Sequence, residues 1–177
     1  ANFDLIWVGM LPGVRESRRI LCDYMLNEND VLHNHRFPDA VAYGGWHIDN
    51  HVPGGLYTAD KVPSFVYEFR GSYDIPYRSY LVKGKTNLYA GGRCMGASKL
   101  GMASSRVMGT CAIGGQAIGT AAALCLKGDG DIRHVDVETL QQTLLRDDCY
   151  LPLHENTDPL DLARGGKVTA SSQQTDY

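Results

Sequence analysis

The sequence lacks several patterns that would place it in a familiar class. It contains no C-x-x-C pair, and its cysteines number five, so neither a cysteine metal motif nor a disulfide framework is indicated. It also has no G-x-G-x-x-G following a predicted strand, so the usual dinucleotide fingerprint is absent. We therefore expect mostly buried, reduced thiols at Cys22, Cys94, Cys111, Cys125 and Cys149.

Neither positive nor negative charge dominates the composition. The net charge of -3 and the pI near 6.0 give no electrostatic reason to expect nucleic acid or an anionic membrane as partner. The chain opens at Ala1 without a methionine or a signal-like leader, so we expect a piece processed or excised from a longer protein. Glycine is abundant, with 20 residues, many between Gly84 and Gly130. Clustered glycine indicates that backbones or a ligand approach closely there.

The amino-terminal half predicts short elements. Alternation over residues 18–26 predicts a strand, and Asn27 predicts the cap of a short helical turn. Residues 37–80 are rich in tyrosine and punctuated by glycine and proline, which predicts short antiparallel strands and loops. Residues 87–90 predict a buried strand that runs into a tight turn at Gly91-Gly92.

A long apolar segment follows. Ser104 or Ser105 is predicted to cap a helix that continues to Leu126, with Gly128 just beyond its end. Its length suggests a membrane span, but its glycines and the polar Arg106 and Gln116 favour a buried helix packed on a sheet. Asp136 is predicted to cap a second, amphipathic helix, and residues 156–167 predict a linker.

The sharpest local arrangement is the run from Trp46 to His51. In a strand, His47, Asp49 and His51 would project from one face, because side chains alternate with period two. Such groups can bind zinc or iron, or they can line a polar pocket in which His51 does acid–base work. Three ligands on one short strand rarely converge on one ion, so pocket lining is favoured and no metal site is predicted.

Two further groups leave alternatives open. The charged run of Arg15, Glu16, Arg18 and Arg19 could clamp an oxyanion or form a solvated face. Residues 90–93, 104–109 and 114–122 together indicate a strand, a turn and a helix, an arrangement that gathers free backbone N–H groups at the positive end of the helix dipole. A phosphate or the O2 edge of a reduced flavin would be stabilised there. The alternative is a glycine-rich helix packed tightly in an α/β core.

Several blocks then follow one another along residues 9–152: GVRESRRI at 13–20, FPDA at 37–40, Gly45-Trp46 with Asp49 and His51, YDIPYRS at 73–79, NLYAGGR at 87–93, SRVMGTC at 105–111, and the helix through Gly115-Gln116-Ala117. Together they resemble a bacterial family of FAD-dependent oxidoreductases that is distantly similar to the fumarate-reductase-type flavoproteins.

The resemblance implies an α+β or α/β fragment. Antiparallel strands of a substrate domain, over residues 1–82, would join the last strand and the long buried helix of a Rossmann-like FAD domain, over residues 83–152. Residues 153–177 would form a linker and the start of a further module. The function implied is that of the carboxy-terminal part of a FAD-dependent oxidoreductase, an enzyme that transfers hydride from substrate to flavin.

The resemblance also implies roles for individual residues. Gly91, Gly92 and Arg93 would approach the ribityl–pyrophosphate region of FAD, although Gly91-Gly92-Arg93 departs from the Ala-Gly-Arg expected there. The helix start at Arg106, Val107, Met108 and Gly109 would face the pyrimidine edge of the isoalloxazine. The residues expected to face the substrate are Asp49, His51, Tyr77 and Arg78.

The same resemblance points to a missing partner. The amino-terminal β-α-β unit that holds the ADP half of FAD is not among these residues, so we expect the isolated chain to bind FAD weakly or not at all. A companion fragment that supplies that unit is the implied partner.

The tail gives a second, shorter resemblance. Residues 162–172 are similar to the opening of a discoidin-like, carbohydrate-binding β-sandwich, and the alternative is a disordered polar terminus. A sugar-like substrate and a periplasmic or secreted location are expected if the resemblance is right. The competing function is a non-catalytic glycan-binding module in which tyrosines 57, 67, 73, 77 and 80 stack on sugars. A zinc hydrolase built on His47, Asp49 and His51 is the least favoured alternative.

Overall fold

A computed structural model of the chain describes residues 4, 6–10, 18–58 and 60–172, with only the backbone at Gly55 and Leu56. Arg15, Glu16 and the first residues of the GVRESRRI block therefore lie outside the described residues. The elements, in chain order, are the helix α1 (Glu28–Leu32), the strands β1 (Ala40–Gly44), β2 (Ile48–His51), β3 (Ser64–Tyr67) and β4 (Tyr73–Pro76), and the helices α2 (Lys99–Ser105), α3 (Met108–Cys125) and α4 (Val137–Arg146).

The strands form two separate antiparallel pairs. β1 pairs with β4, with Gly44 opposite Tyr73 and an irregularity between Ala40 and Ala42. β2 pairs with β3, with Ile48 opposite Tyr67. The first pair is almost fully buried, whereas β3 is largely exposed. The predicted short antiparallel strands are confirmed, and with the helices they make a small α+β arrangement.

Two helices begin at the side-chain caps that the sequence predicted. The Asn27 side chain accepts from the N–H groups of Asn29 and Asp30. The Asp30 carboxylate accepts from the Asn27 N–H, which completes a capping box at α1. Asp136 accepts from the N–H of Thr139 at 3.1 Å and starts α4. Both predicted caps are confirmed, because a cap depends on residues only two or three positions apart.

The long helix begins later than predicted. Ser104 and Ser105 lie at the end of α2, Arg106 caps that helix, and Val107 is extended before α3 starts at Met108. The prediction of one helix from Ser104 or Ser105 was therefore wrong. The apolar run continues through the junction, but the backbone turns there because Ser104 and Arg106 bond to a different part of the chain.

One face of α3 is buried and the other is exposed. Thr110, Gly114, Ala117, Ala121 and Cys125 are buried and α3 packs against β1 and α4, so the helix predicted to be buried is buried along one face only. Mean hydropathy is 1.2 and 28% of the helix is buried. By length and composition alone α3 could cross a membrane. The core helices of soluble proteins can have the same length and composition.

Two predicted strands are absent. Residues 18–26 make isolated bridges at Cys22 with Val82 and at Leu26 with Ala97, rather than a continuous ladder. Residues 87–90 contribute only the bridge of Tyr89 with Leu81, and Leu88 is half exposed. A short apolar run cannot indicate whether a neighbouring strand lies in register beside it. Both segments are therefore irregular connections held by single bridges.

One hydrophobic core joins both halves of the described chain. Leu26, Val41 and Ile75 pack in the same cluster as Ala117 and Leu144. Packing therefore crosses the predicted boundary at residue 82, and the division into domains stays a prediction. All five cysteines are free, with Cys22, Cys125 and Cys149 buried and Cys94 exposed.

Candidate functional site

The strand β2 places Asp49 and His51 on the same face. Because side chains alternate along a strand, residues two apart project together, as the sequence predicted. The His51 Nε2 lies 3.0 Å from the Asp49 Oδ2. A carboxylate only accepts, so this nitrogen carries a proton, and in the neutral form of the ring Nδ1 keeps its lone pair. His51 is therefore oriented as a base.

Arg106 completes this group from a distant part of the chain. Its guanidinium donates to the Asp49 Oδ2 at 3.1 Å and to the Asp49 backbone carbonyl at 3.0 Å. The arginine side chain is 13% exposed and that of Asp49 is 26% exposed, so the pair is partly withdrawn from water. We call Asp49, His51 and Arg106 the β2–α2 cluster. The sequence named all three residues but gave no signal that Arg106 meets Asp49.

The Asp49 carboxyl is ionised at neutral pH. Burial acts to raise its pKa, but His51, the Ser64 hydroxyl and Arg106 together outweigh burial and hold the pKa below the ordinary 3.8. Ser64 contributes because it stands opposite His51 in the β2–β3 ladder. The cluster thus contains a fixed negative charge between a guanidinium and an imidazole.

The amino terminus of α3 is open beside this cluster. Val107 is extended and its side chain does not cap the helix. The first backbone hydrogen bond of α3 runs from the Cys111 N–H to the Val107 carbonyl. The N–H groups before that bond have no partner within the helix. Met108 is 89% exposed, and no heavy atom lies within 4 Å of a Cβ built on Gly109. The side-chain positions at the start of α3 are therefore open, and the positive end of the helix dipole lies at this point.

The glycine loop lies along the same helix. Gly91 packs against Ile118 so closely that a Cβ would meet its Cδ1, and Gly92 has a φ of +56°. Arg93 follows, and its positive charge interacts electrostatically with Cys111 in the first turn of α3. Burial raises the pKa of that thiol, and the Arg93 charge opposes the rise. The loop and the helix start predicted to hold FAD thus lie close to each other.

His47 precedes the strand that carries Asp49 and His51. β2 begins at Ile48, and the His47 ring stacks on the indole of Trp46 with a centroid distance of 4.6 Å. Among the described residues, no group of three or more His, Cys, Asp or Glu side chains is placed to hold a metal ion.

Tyr77 and Arg78 make their bonds elsewhere. The Tyr77 hydroxyl donates to the Ile132 carbonyl at 2.7 Å and lies 2.6 Å from the Tyr89 hydroxyl. Arg78 makes a two-point ion pair with Asp39 and lies over the Tyr24 ring. These partners belong to other parts of the chain than the β2–α2 cluster. Their contact with substrate stays a prediction.

The tyrosines proposed as sugar-stacking surfaces divide into two groups. Tyr73, Tyr77 and Tyr80 are buried in the core, so their rings offer no surface to a glycan. Tyr57 is exposed and Tyr67 is half exposed. Three of the five residues on which the glycan-binding alternative depended are thus core residues.

Comparison with known proteins identifies the family of the chain. The family model for FAD dependent oxidoreductases matches residues 1–144, which is most of the chain. The chain belongs to the FAD dependent oxidoreductase family. Comparisons with curated proteins and with solved structures each gave no match.

Proposed function

We propose that this chain forms the carboxy-terminal part of a FAD-dependent oxidoreductase, with its reaction site between the β2–α2 cluster and the start of α3. The observation that supports the proposal most strongly is the bond from Arg106 to Asp49. Arg106 directly precedes Val107 and α3, so this bond brings the oriented His51–Asp49 pair next to an open helix terminus.

The residues at the helix start fit a flavin. Free N–H groups, a positive dipole end and the charges of Arg93 and Arg106 would stabilise an electron-rich ring edge. Gly92 and Gly109 have open space where a side chain would otherwise project, so a flat ligand can approach the backbone. When bound, FAD supplies the acceptor for a hydride from the substrate.

His51 is the proposed proton acceptor. Its Nδ1 is available because Nε2 donates to Asp49, and the side chain is 47% exposed, so a substrate hydroxyl can reach it. Oxidation of an alcohol to a carbonyl releases a hydride and a hydroxyl proton, and His51 takes the proton. Asp49 then stabilises the imidazolium, and Arg106 holds the carboxylate in place.

We propose a hydroxylated, sugar-like substrate, which suits a base that accepts a hydroxyl proton. The discoidin-like tail and a periplasmic or secreted location remain parts of the same proposal. Residues 162–165 form a short 3-10 turn, and residues 166–172 are exposed. The amino-terminal segment for the ADP half of FAD is the proposed partner of this chain.

Replacing the base tests the role of His51. In the full-length flavin-loaded protein, His51→Ala should lower kcat by about 100-fold or more, because general base catalysis typically contributes 10²–10⁴-fold. Flavin absorbance per protein should stay unchanged. His134→Ala is a matched control, since His134 also pairs with an aspartate, Asp129, at 2.7 Å but lies on the exposed loop after α3.

The two variants separate the possible outcomes. A loss of turnover in His51→Ala alone, with flavin retained, supports the assignment. Equal turnover in the two variants would remove His51 from the mechanism. Loss of flavin from His51→Ala would instead make His51 a cofactor-binding residue.

A further inference from the structure

A buried chain of hydrogen bonds lies beneath the β2–α2 cluster. The Tyr73 and Ser104 hydroxyls are 2.7 Å apart, and the Ser104 hydroxyl bonds to the Trp46 carbonyl. A carbonyl only accepts and a serine hydroxyl has one proton, so Ser104 must donate to Trp46. Tyr73 must then donate to Ser104. The bonds therefore run in one direction, from Tyr73 through Ser104 to Trp46.

This bonded chain joins the two segments that carry the cluster. Trp46 lies three residues before Asp49, on the connection that enters β2. Ser104 lies two residues before Arg106, at the end of α2. Tyr73 supports both from β4, and its hydroxyl occupies the space beside Gly44, where a Cβ would collide with it. The distance between Asp49 and Arg106 is thus set partly by Ser104.

We propose that Tyr73 and Ser104 are positioning residues for the β2–α2 cluster, holding α2 against the start of β2 so that Arg106 meets Asp49. The inference rests on the proposed function of that cluster. Both side chains are fully buried, and their hydroxyls bond to each other and to the Trp46 carbonyl. They act through backbone placement, because a small displacement of a reacting group can cost a large factor in rate.

Burial makes the bonds difficult to replace with water. Removing the Ser104 hydroxyl would leave both the Tyr73 O–H and the Trp46 carbonyl without this partner, whereas removing the Tyr73 hydroxyl breaks only one bond. Ser104→Ala should therefore displace the cluster more than Tyr73→Phe does.

Tyr80 provides a matched control. Its ring is also fully buried, with its hydroxyl against Gly114 of α3. Among the described residues that hydroxyl has no hydrogen-bond partner. Tyr80→Phe therefore removes the same atom from the same depth without breaking a bond to α2 or β2.

The experiment compares Tyr73→Phe, Ser104→Ala and Tyr80→Phe in the full-length protein. One readout is the pKa of Asp49, followed by carbon NMR of its carboxyl group, and the other is kcat/KM. Arg106→Gln provides the reference for a lost Asp49–Arg106 bond. In Tyr73→Phe and Ser104→Ala the Asp49 pKa should rise, as in the reference, because the guanidinium draws away. kcat/KM should fall on the order of 10-fold or more.

Tyr80→Phe should leave both readouts at wild-type values. The inference is overturned if Tyr73→Phe and Ser104→Ala lower only the melting temperature and keep the wild-type Asp49 pKa. Should Ser104→Ala fail to fold, Tyr73→Phe decides alone, since it keeps the ring. The Asp49 pKa is measured without turnover, so it still tests the positioning role if His51→Ala shows the proposed function to be wrong.

Discussion

Asp49 is the residue on which the site depends most. It accepts from Arg106 and His51, and the Ser64 hydroxyl also helps to lower its pKa. His51 lies on the same strand as Asp49, whereas Ser64 belongs to β3 and Arg106 to the end of α2, so the carboxylate interacts with both segments that pack beside β2. Its charge also leaves the His51 base in the tautomer that can accept a proton.

The lowered pKa predicts how Asp49 contributes to stability as pH changes. A group whose folded pKa is lowered stabilises the fold above its unfolded pKa, near the ordinary 3.8. That contribution is lost as pH falls from there through the lowered folded value. Asp49→Asn should therefore be less stable than wild type by about 1–3 kcal/mol at pH 7, because Arg106 loses its charged partner.

Urea denaturation at neutral pH and at a pH below the lowered pKa of Asp49 would measure the difference in stability between wild type and Asp49→Asn. The gap between wild type and Asp49→Asn should shrink at the lower pH, where wild-type Asp49 is protonated. An equal gap at both values would mean that the carboxylate charge contributes nothing to stability.

At the scale of elements, α3 shows how two adjacent glycines differ. A Cβ on Gly114 would lie 2.5 Å from the Tyr80 hydroxyl, which is buried and has little room to move. Gly115 is exposed and has no atom within 4 Å of the same position. One glycine permits a close approach, and the other only lowers helix propensity.

Gly114→Ala should cost about 1–3 kcal/mol of unfolding free energy through overpacking. Gly115→Ala should add about 0.5–1 kcal/mol in the isolated chain, because alanine favours a helix interior. Thermal and urea unfolding of the two variants would measure both changes. Opposite signs are expected, and a loss of equal size in both would show that the outer face of α3 is also packed.

Local signals predicted some elements and could not predict others. The caps at Asn27 and Asp136 and the face shared by Asp49 and His51 depend on residues two or three positions apart. The break between α2 and α3 depends on bonds from Ser104 to Trp46 and from Arg106 to Asp49, across 57 or more positions. No local pattern signals such a bond, so the apolar run read as one helix.

For the whole molecule, membership of a FAD-dependent family suggests what covers the exposed face of α3. The outer face carries Met108, Gly109, Gly115 and Leu126, which are exposed although most of the helix is apolar. We propose that the rest of the FAD domain covers this face and supplies the site for the ADP half of the cofactor. The described residues then contribute only one side of the flavin site.

That division predicts weak cofactor binding by the 177-residue chain alone. Titration with FAD should give little quenching of flavin fluorescence, and purified chain should lack a stoichiometric flavin spectrum. Addition of the amino-terminal segment should restore binding. A stoichiometric flavin spectrum from the chain alone would contradict the proposed division of the site.

We propose that Arg106 and the start of α3 lie against the flavin, and the midpoint potential of bound FAD can be measured without a known substrate. Reduced flavin is negatively charged near its pyrimidine edge, so loss of a nearby positive charge makes reduction harder. Arg106→Gln should lower the potential of the flavin-loaded protein on the order of 30 mV, or about 1.4 kcal/mol for a two-electron couple.

Arg164→Gln removes an equal charge from the tail, where Arg164 pairs with Glu155, and should leave the potential unchanged. Of the two variants, only Arg106→Gln should have a flavin potential below that of wild type. A potential equal to that of wild type and Arg164→Gln, with FAD still bound, would show that the cluster does not lie beside the flavin.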